Sequence, residues 1–119
     1  MRKITHNALV KAEACESQVQ LFDRYMPRGG YPTLSNLEYA AKGGLNIRWL
    51  AYALLTSEAE KALQLATAEE RRRMSDELAA LSQLKGNAYK ARRREIAKQY
   101  WLAIAPKIHE ALKYSENWA

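Results

Sequence analysis

Apolar residues along this chain recur at intervals of three and four and almost nowhere at intervals of two, so the pattern predicts helices and no sheet. Ala8, Ala12, Cys15, Val19, Phe22 and Met26 follow one another at such spacings. They form the buried stripe of a single first helix, opened by a Thr5 cap. Pro27-Arg28-Gly29-Gly30-Tyr31-Pro32 ends it, because two prolines and two glycines cannot continue a helical ladder. Ser35 with Glu38 has capping-box spacing and opens a short second helix that stops at Gly43 and Gly44. Asn46 caps a third, carrying Ile47, Trp49, Leu50, Leu54 and Leu55. Thr56 or Ser57 starts a fourth, reaching Leu65.

Thr67 with Glu70 repeats the capping-box spacing and begins a longer, heavily charged helix whose apolar line is Met74, Leu78 and Leu81. Gly86 and Asn87 mark a stop or a kink. The last helix, from Ala88, carries Tyr89, Ile96, Tyr100, Ala103 and Ala111 on one face. Pro106 should bend or divide it, since proline has no N–H for the carbonyl four residues back. The pattern predicts an all-α, compact bundle of about five to six helices. Short N-terminal helices of residues 1–56 pack on a longer, charged C-terminal helical hairpin of residues 57–119. By length, 119 residues make one domain able to bury its own core.

Composition narrows the class. With 48% hydrophobic and 27% charged residues the chain is ordinary globular protein. One cysteine forms no internal disulfide, which excludes an oxidised scaffold. Trp49–Ser57, the longest central stretch without charge, is too short for a bilayer, and the N-terminus meets Glu13 before any long apolar run. Cytoplasmic residence, with no signal peptide, is the expectation. Cys15 lies on the apolar stripe and reads as a buried, inert thiol. His6 and His109 stand near opposite ends of the chain, and no ligand spacing suggests a metal. The chain is therefore expected to act without catalytic residues, cofactor or metal.

Charge changes the picture most. Between Lys85 and Lys98, six cations (Lys85, Lys90, Arg92, Arg93, Arg94, Lys98) face one acid, Glu95, giving +5 of a net +6. Such a local field attracts an anionic partner far better than dispersed charge. At about 100° per residue, Lys90, Arg94 and Lys98 form a ridge with Trp101 beside it, while Arg93 falls toward the apolar side. Cations flanking an aromatic suit stacking on a base with phosphate contacts, or an anchor in an acidic protein groove. Arg28 and Tyr31, in the loop after the first helix, make a second candidate contact. The Arg71–Arg73 run differs, because Arg72 with Asp76 and Arg73 with Glu77 have intrahelical pair spacing.

Ala40, Gly44, Leu45 and Leu50 also stand at helix-turn-helix spacing. The second helix of that motif would offer Ile47, Arg48, Ala51, Tyr52 and Leu55 to DNA, and only Arg48, with Asn46, suits base edges.

Ala14, Cys15, Gln18, Val19 and Phe22, followed by Ala40, Gly44, Leu45, Trp49, Leu50 and Ala51, resemble a signature of uncharacterised small helical proteins of phages, prophages and bacteria. The resemblance covers Ala14 to Leu55 and carries no activity or functional residue with it. It implies a phage or prophage context, in which short proteins often bind and inhibit host machinery, CRISPR and other defence complexes included. The expected function is thus binding of a host protein or nucleoprotein complex, with Lys90, Arg94, Lys98, Trp101, Arg28 and Tyr31 as contact residues. Two alternatives stand beside it. One is nucleic-acid binding, to DNA or RNA, by the ridge or a degenerate helix-turn-helix; the other is an oligomeric assembly role.

Overall fold

The first apolar stripe is cut in two. In the computed structural model, which describes residues 1–119, it is shared between α1 (His6–Lys11) and α2 (Glu16–Tyr25). Glu13 stands between them at φ 56°, a left-handed conformation that ends a right-handed helix. Ala12 and Cys15 consequently reach the surface, while Leu9, Val19, Phe22 and Met26 stay buried.

The next helices are short and begin at side-chain caps. α3 (Leu34–Lys42) starts at Thr33, whose Oγ accepts the Asn36 N–H at 3.1 Å. Thr33 thus replaces the expected Ser35, which lies inside the helix. α4 (Ile47–Leu54) starts at Asn46 and α5 (Ser57–Ala66) at Thr56, both as expected and both with the side-chain oxygen satisfying an orphan amide. Thr67 joins α5 to α6 (Ala68–Ala79). It does not form the expected capping box: its buried hydroxyl donates backward to the Leu63 carbonyl at 2.8 Å.

A 3₁₀ turn over Ala80–Gln83 leads to α7 (Gly86–Lys113), which runs unbroken through Pro106. Pro106 faces solvent, and Ile104, Ala105 and Ile108 around it are anchored in the core, so packing offsets the missing backbone bond. The chain thus has seven α-helices, no strands and an all-α architecture in which α7 packs against α3, α4, α5 and α6. Its C-terminal carbonyls are covered by the tail: the Trp118 indole N–H donates to Leu112 O at 2.8 Å and the Asn117 amide to Ala111 O at 2.9 Å.

The buried face of α7 rotates along its length. Ile96 and Tyr100 are buried at one end, Ala105, Ile108 and Leu112 at the other, and the two sets differ by roughly a third of a turn. Ala103, expected on the apolar face, is exposed for that reason. Leu81 and Ile96 are buried outside the cluster of 21 residues that makes the main core. α6 buries no residue, and residues 82–95 are exposed apart from half-buried Tyr89. At 1.5 Å per residue α7 is about 42 Å long, nearly the 44 Å longest dimension of the molecule. The α6–α7 hairpin is therefore an arm that extends from the core.

Candidate functional site

The arm carries the cationic cluster. Lys85, Lys90, Arg92, Arg93 and Arg94 are exposed and Lys98 is half-buried. None of them forms an ion pair; the three pairs in the molecule are His6–Asp23, Lys107–Glu70 and Lys113–Glu110. The expected Arg72–Asp76 and Arg73–Glu77 pairs are not formed either, but α6 carries Glu69, Glu70, Asp76 and Glu77 beside its three arginines, so the excess of positive charge on the arm belongs to residues 85–98. Arg93 reaches out to solvent instead of meeting an acid, as a long stem allows. Successive members of the Lys90, Arg94, Lys98 ridge rise by about 6 Å along the helix axis.

Trp101, three residues beyond Lys98 on the same unbroken helix, continues the line of the ridge but is not an open aromatic. It is half-buried and packs against the main core, because by this point the buried face of α7 has turned toward it. It borders a cleft of about 210 Å³ together with Arg48 of α4, Met74 and Leu78 of α6, and Arg93 of α7. Arg28 and Tyr31 lie elsewhere. Their loop is pinned by Ile4–Gly30 backbone hydrogen bonds of 2.8 and 2.9 Å, and His109 Nδ1–H donates to Pro32 O at 2.8 Å. His109 is eleven residues beyond Lys98, or about 16 Å along α7, so the loop and the ridge are separate surfaces.

The helix-turn-helix reading loses its reading helix. Ile47, Leu50, Ala51 and Leu54 are buried and every other residue of α4 is at least partly covered, so no face of it is free to enter a groove. The signature residues form a joint instead. Gln18 Oε1 accepts the Asn46 N–H at 3.1 Å, tying α2 to the start of α4, and Val19, Phe22, Ala40, Leu45, Leu50 and Ala51 are all buried.

Cys15 is exposed, contrary to the buried thiol expected, because the helix break places it at the start of α2. The Ser17 hydroxyl at 3.2 Å, then the Gln18 and Ser17 amides, lower its pKa below the usual thiol value. His6 pairs with Asp23 at 2.8 Å, and Asp23 lies eight residues along α2 from Cys15, about 12 Å away. The three side chains therefore make no nucleophile–base set. No group of three or more His, Cys, Asp or Glu residues is arranged to hold a metal ion, and no helix is long and apolar enough to cross a membrane.

Arg48, Tyr52 and Tyr100 form a cluster that no motif announced. Arg48 stacks on the Tyr52 ring at 5.1 Å and lies in side-chain hydrogen-bond reach of the Tyr52 and Tyr100 hydroxyls, neither of which is open to solvent. Arg48 and Tyr52 share one helix face in sequence, but Tyr100 joins them only through the packing of α4 on α7. Neither a protein-family model, nor a curated protein, nor a solved structure matches the chain.

Proposed function

We propose that this protein is a small phage- or prophage-type accessory protein that acts without catalysis, in the host cytoplasm, by binding a host macromolecular complex. The class of target is a defence complex, such as CRISPR, or another nucleic-acid-processing assembly, and the outcome is inhibition. One observation carries the reading: the six cations between Lys85 and Lys98 form no ion pair, and all but the half-buried Lys98 are exposed on the arm. A structural ion network would have placed acids beside them; a docking arm leaves them for the partner. A basic arm does not imitate DNA, so the inhibition would displace a nucleic-acid-binding component or occupy its acidic partner surface. The phage-like signature supplies the biological context and no contact residue.

Direct nucleic-acid binding by the ridge is the second reading, favoured by the regular rise of Lys90, Arg94 and Lys98 along one helix. Affinity capture from host lysate, with and without nuclease, separates the two. A protein retained after nuclease and lost with the Lys90→Ala, Arg94→Ala, Lys98→Ala triple variant supports the inhibitor reading. Retention of nucleic acid alone, with affinity falling steeply as salt rises, supports the second. Capture unchanged by the triple variant removes the arm from function.

A further inference from the structure

α7 is the longest helix of the chain and has the weakest start. α1, α3, α4 and α5 begin at Thr5, Thr33, Asn46 and Thr56, whose side chains accept a backbone N–H. α2 and α6 lack such a cap but carry Glu16, or Glu69 and Glu70, in their first turns. α7 alone has neither, since Lys85 stands at the cap position without a side-chain bond and no acid follows in the first turn. A cation there opposes the helix dipole, and an uncapped end leaves its backbone donors to water. Gly86 and Asn87 then open the helix with poor helix formers. Further along, Lys90 with Arg93, Lys90 with Arg94 and Arg94 with Lys98 set like charges three or four residues apart.

Tertiary packing does little to offset this. Every residue from Ser82 to Glu95 is exposed except half-buried Tyr89, and the nearest buried groups, Leu81 and Ile96, lie outside the main core. Helix propagation is close to neutral per residue in water, so an end with few buried contacts opens at little cost while the rest stays folded. From Tyr100 onward Ile104, Ala105, Ile108 and Leu112 lock α7 to the core, and opening stops short of them. We propose that Gly86–Glu95 is a conformational switch, open locally in the free protein and closed into helix by an acidic protein surface. Only the closed form sets Lys90, Arg94 and Lys98 in one row, so a partner that reads the row binds that form better and shifts the population toward it. With Trp101 packed against the core and Tyr89 half-buried, the row offers charge and no open stacking surface, which suits carboxylates rather than bases. The opening belongs to the free chain; the closing rests on the docking role proposed for the arm.

Amide hydrogen exchange of the intact protein, followed residue by residue by NMR, tests both halves. The Lys90–Arg94 amides donate within α7, yet they should exchange within about tenfold of an unstructured chain. Those of Ile104 and Ile108 should be at least about a thousandfold slower. Lys85→Ser supplies the missing cap and should slow the Lys90–Arg94 amides about fivefold without moving those of Ile104 and Ile108. Poly-glutamate added in excess should slow the same amides of the parent by at least about fivefold. Lys90–Arg94 amides as protected in the free protein as those of Ile108, or unmoved by Lys85→Ser, overturn the opening. Exchange that poly-glutamate leaves unchanged overturns the closing, and slowing by a short oligothymidylate but not by poly-glutamate overturns the acidic-protein trigger. Lysate capture unchanged by the triple variant would sink the docking role of the arm, whereas only exchange in the free protein sinks the opening.

Discussion

Gly43 and Gly44 stand side by side in the turn between α3 and α4 for different physical reasons, and substitution separates them. Gly43 has φ −79°, which any residue adopts, but a Cβ there would run into the ring of Tyr25. That ring is not free to swing away: its hydroxyl donates to Gly43 O at 2.7 Å and its edge packs on Tyr39 at 5.5 Å between centroids. Gly43→Ala therefore gains about 0.4–1 kcal/mol from the less flexible unfolded chain. Against this it loses about 1–3 kcal/mol to overpacking and about 1 kcal/mol as the hydrogen bond is displaced. The net cost is about 2 kcal/mol, a fall in Tm of roughly 8 °C for a chain of this size. Urea unfolding followed by circular dichroism measures it directly. In a Tyr25→Ala background the obstruction is gone, so the same substitution should become stabilising by about 0.4–1 kcal/mol. Gly44 differs: φ is +99° and nothing lies near its missing Cβ, so Gly44→Ala should cost about 1–3 kcal/mol in either background. An equal cost for Gly43→Ala with and without the Tyr25 ring would refute the reasoning.

Other expectations follow from single contacts. Glu70 accepts a hydrogen bond from Lys107 at 2.6 Å, which holds its carboxyl below the usual carboxylate range. A depressed pKa stabilises the fold above about pH 4.3 and loses that contribution as pH falls through the folded value. Glu70→Gln should thus melt lower than the parent at pH 7, with the gap closing below about pH 4, and parallel Tm-versus-pH curves would contradict this. Trp118 is 7% exposed and seals the end of α7. Trp118→Ala should cost about 3–5 kcal/mol and Trp118→Phe only about 1 kcal/mol, measured by chemical denaturation. Cys15, being exposed with a lowered pKa, should react with a thiol reagent in the native state as fast as in urea; protection in the folded protein would place it inside the core.

Most of the helical architecture was legible because its signals are local. Thr5, Asn46 and Thr56 cap where side-chain chemistry says they should, and the Pro27–Pro32 segment forms the expected loop. The break after α1 was not legible, since neither proline nor glycine marks it and the apolar spacing runs straight through Ala12 and Cys15. Only tertiary packing decides that Glu13 adopts a positive φ. Thr33 competes with Ser35 two residues away, and both satisfy the cap chemistry. The ridge itself follows from four-residue spacing. The burial of Trp101 does not, because a fixed 100° projection cannot register a buried face that rotates along a 28-residue helix. For the same reason the cleft was hidden: Arg48 and Tyr100 are brought together by the packing of α4 on α7, and no single segment contains both.

The ridge has an energetic consequence that distinguishes a docking surface from a solvated one. Lys90 with Arg94 and Arg94 with Lys98 are like-charge pairs four apart, each opposing the helix by about 0.2–0.5 kcal/mol. The single nearby acid, Glu95, is engaged by the Gln99 amide at 3.2 Å and pairs with none of them. Alanine is also the better helix former at each position. Replacing all three by alanine should therefore stabilise the free protein by about 0.5–1 kcal/mol, raising Tm by roughly 2–4 °C, while weakening capture of the partner. The charge component should fade between about 0.01 and 1 M salt as screening sets in, leaving the propensity component behind. Opposite signs for stability and binding are what a surface held ready for an anion produces. Were the triple variant less stable than the parent, these cations would be serving the fold, and the arm would no longer be a reason to infer a partner.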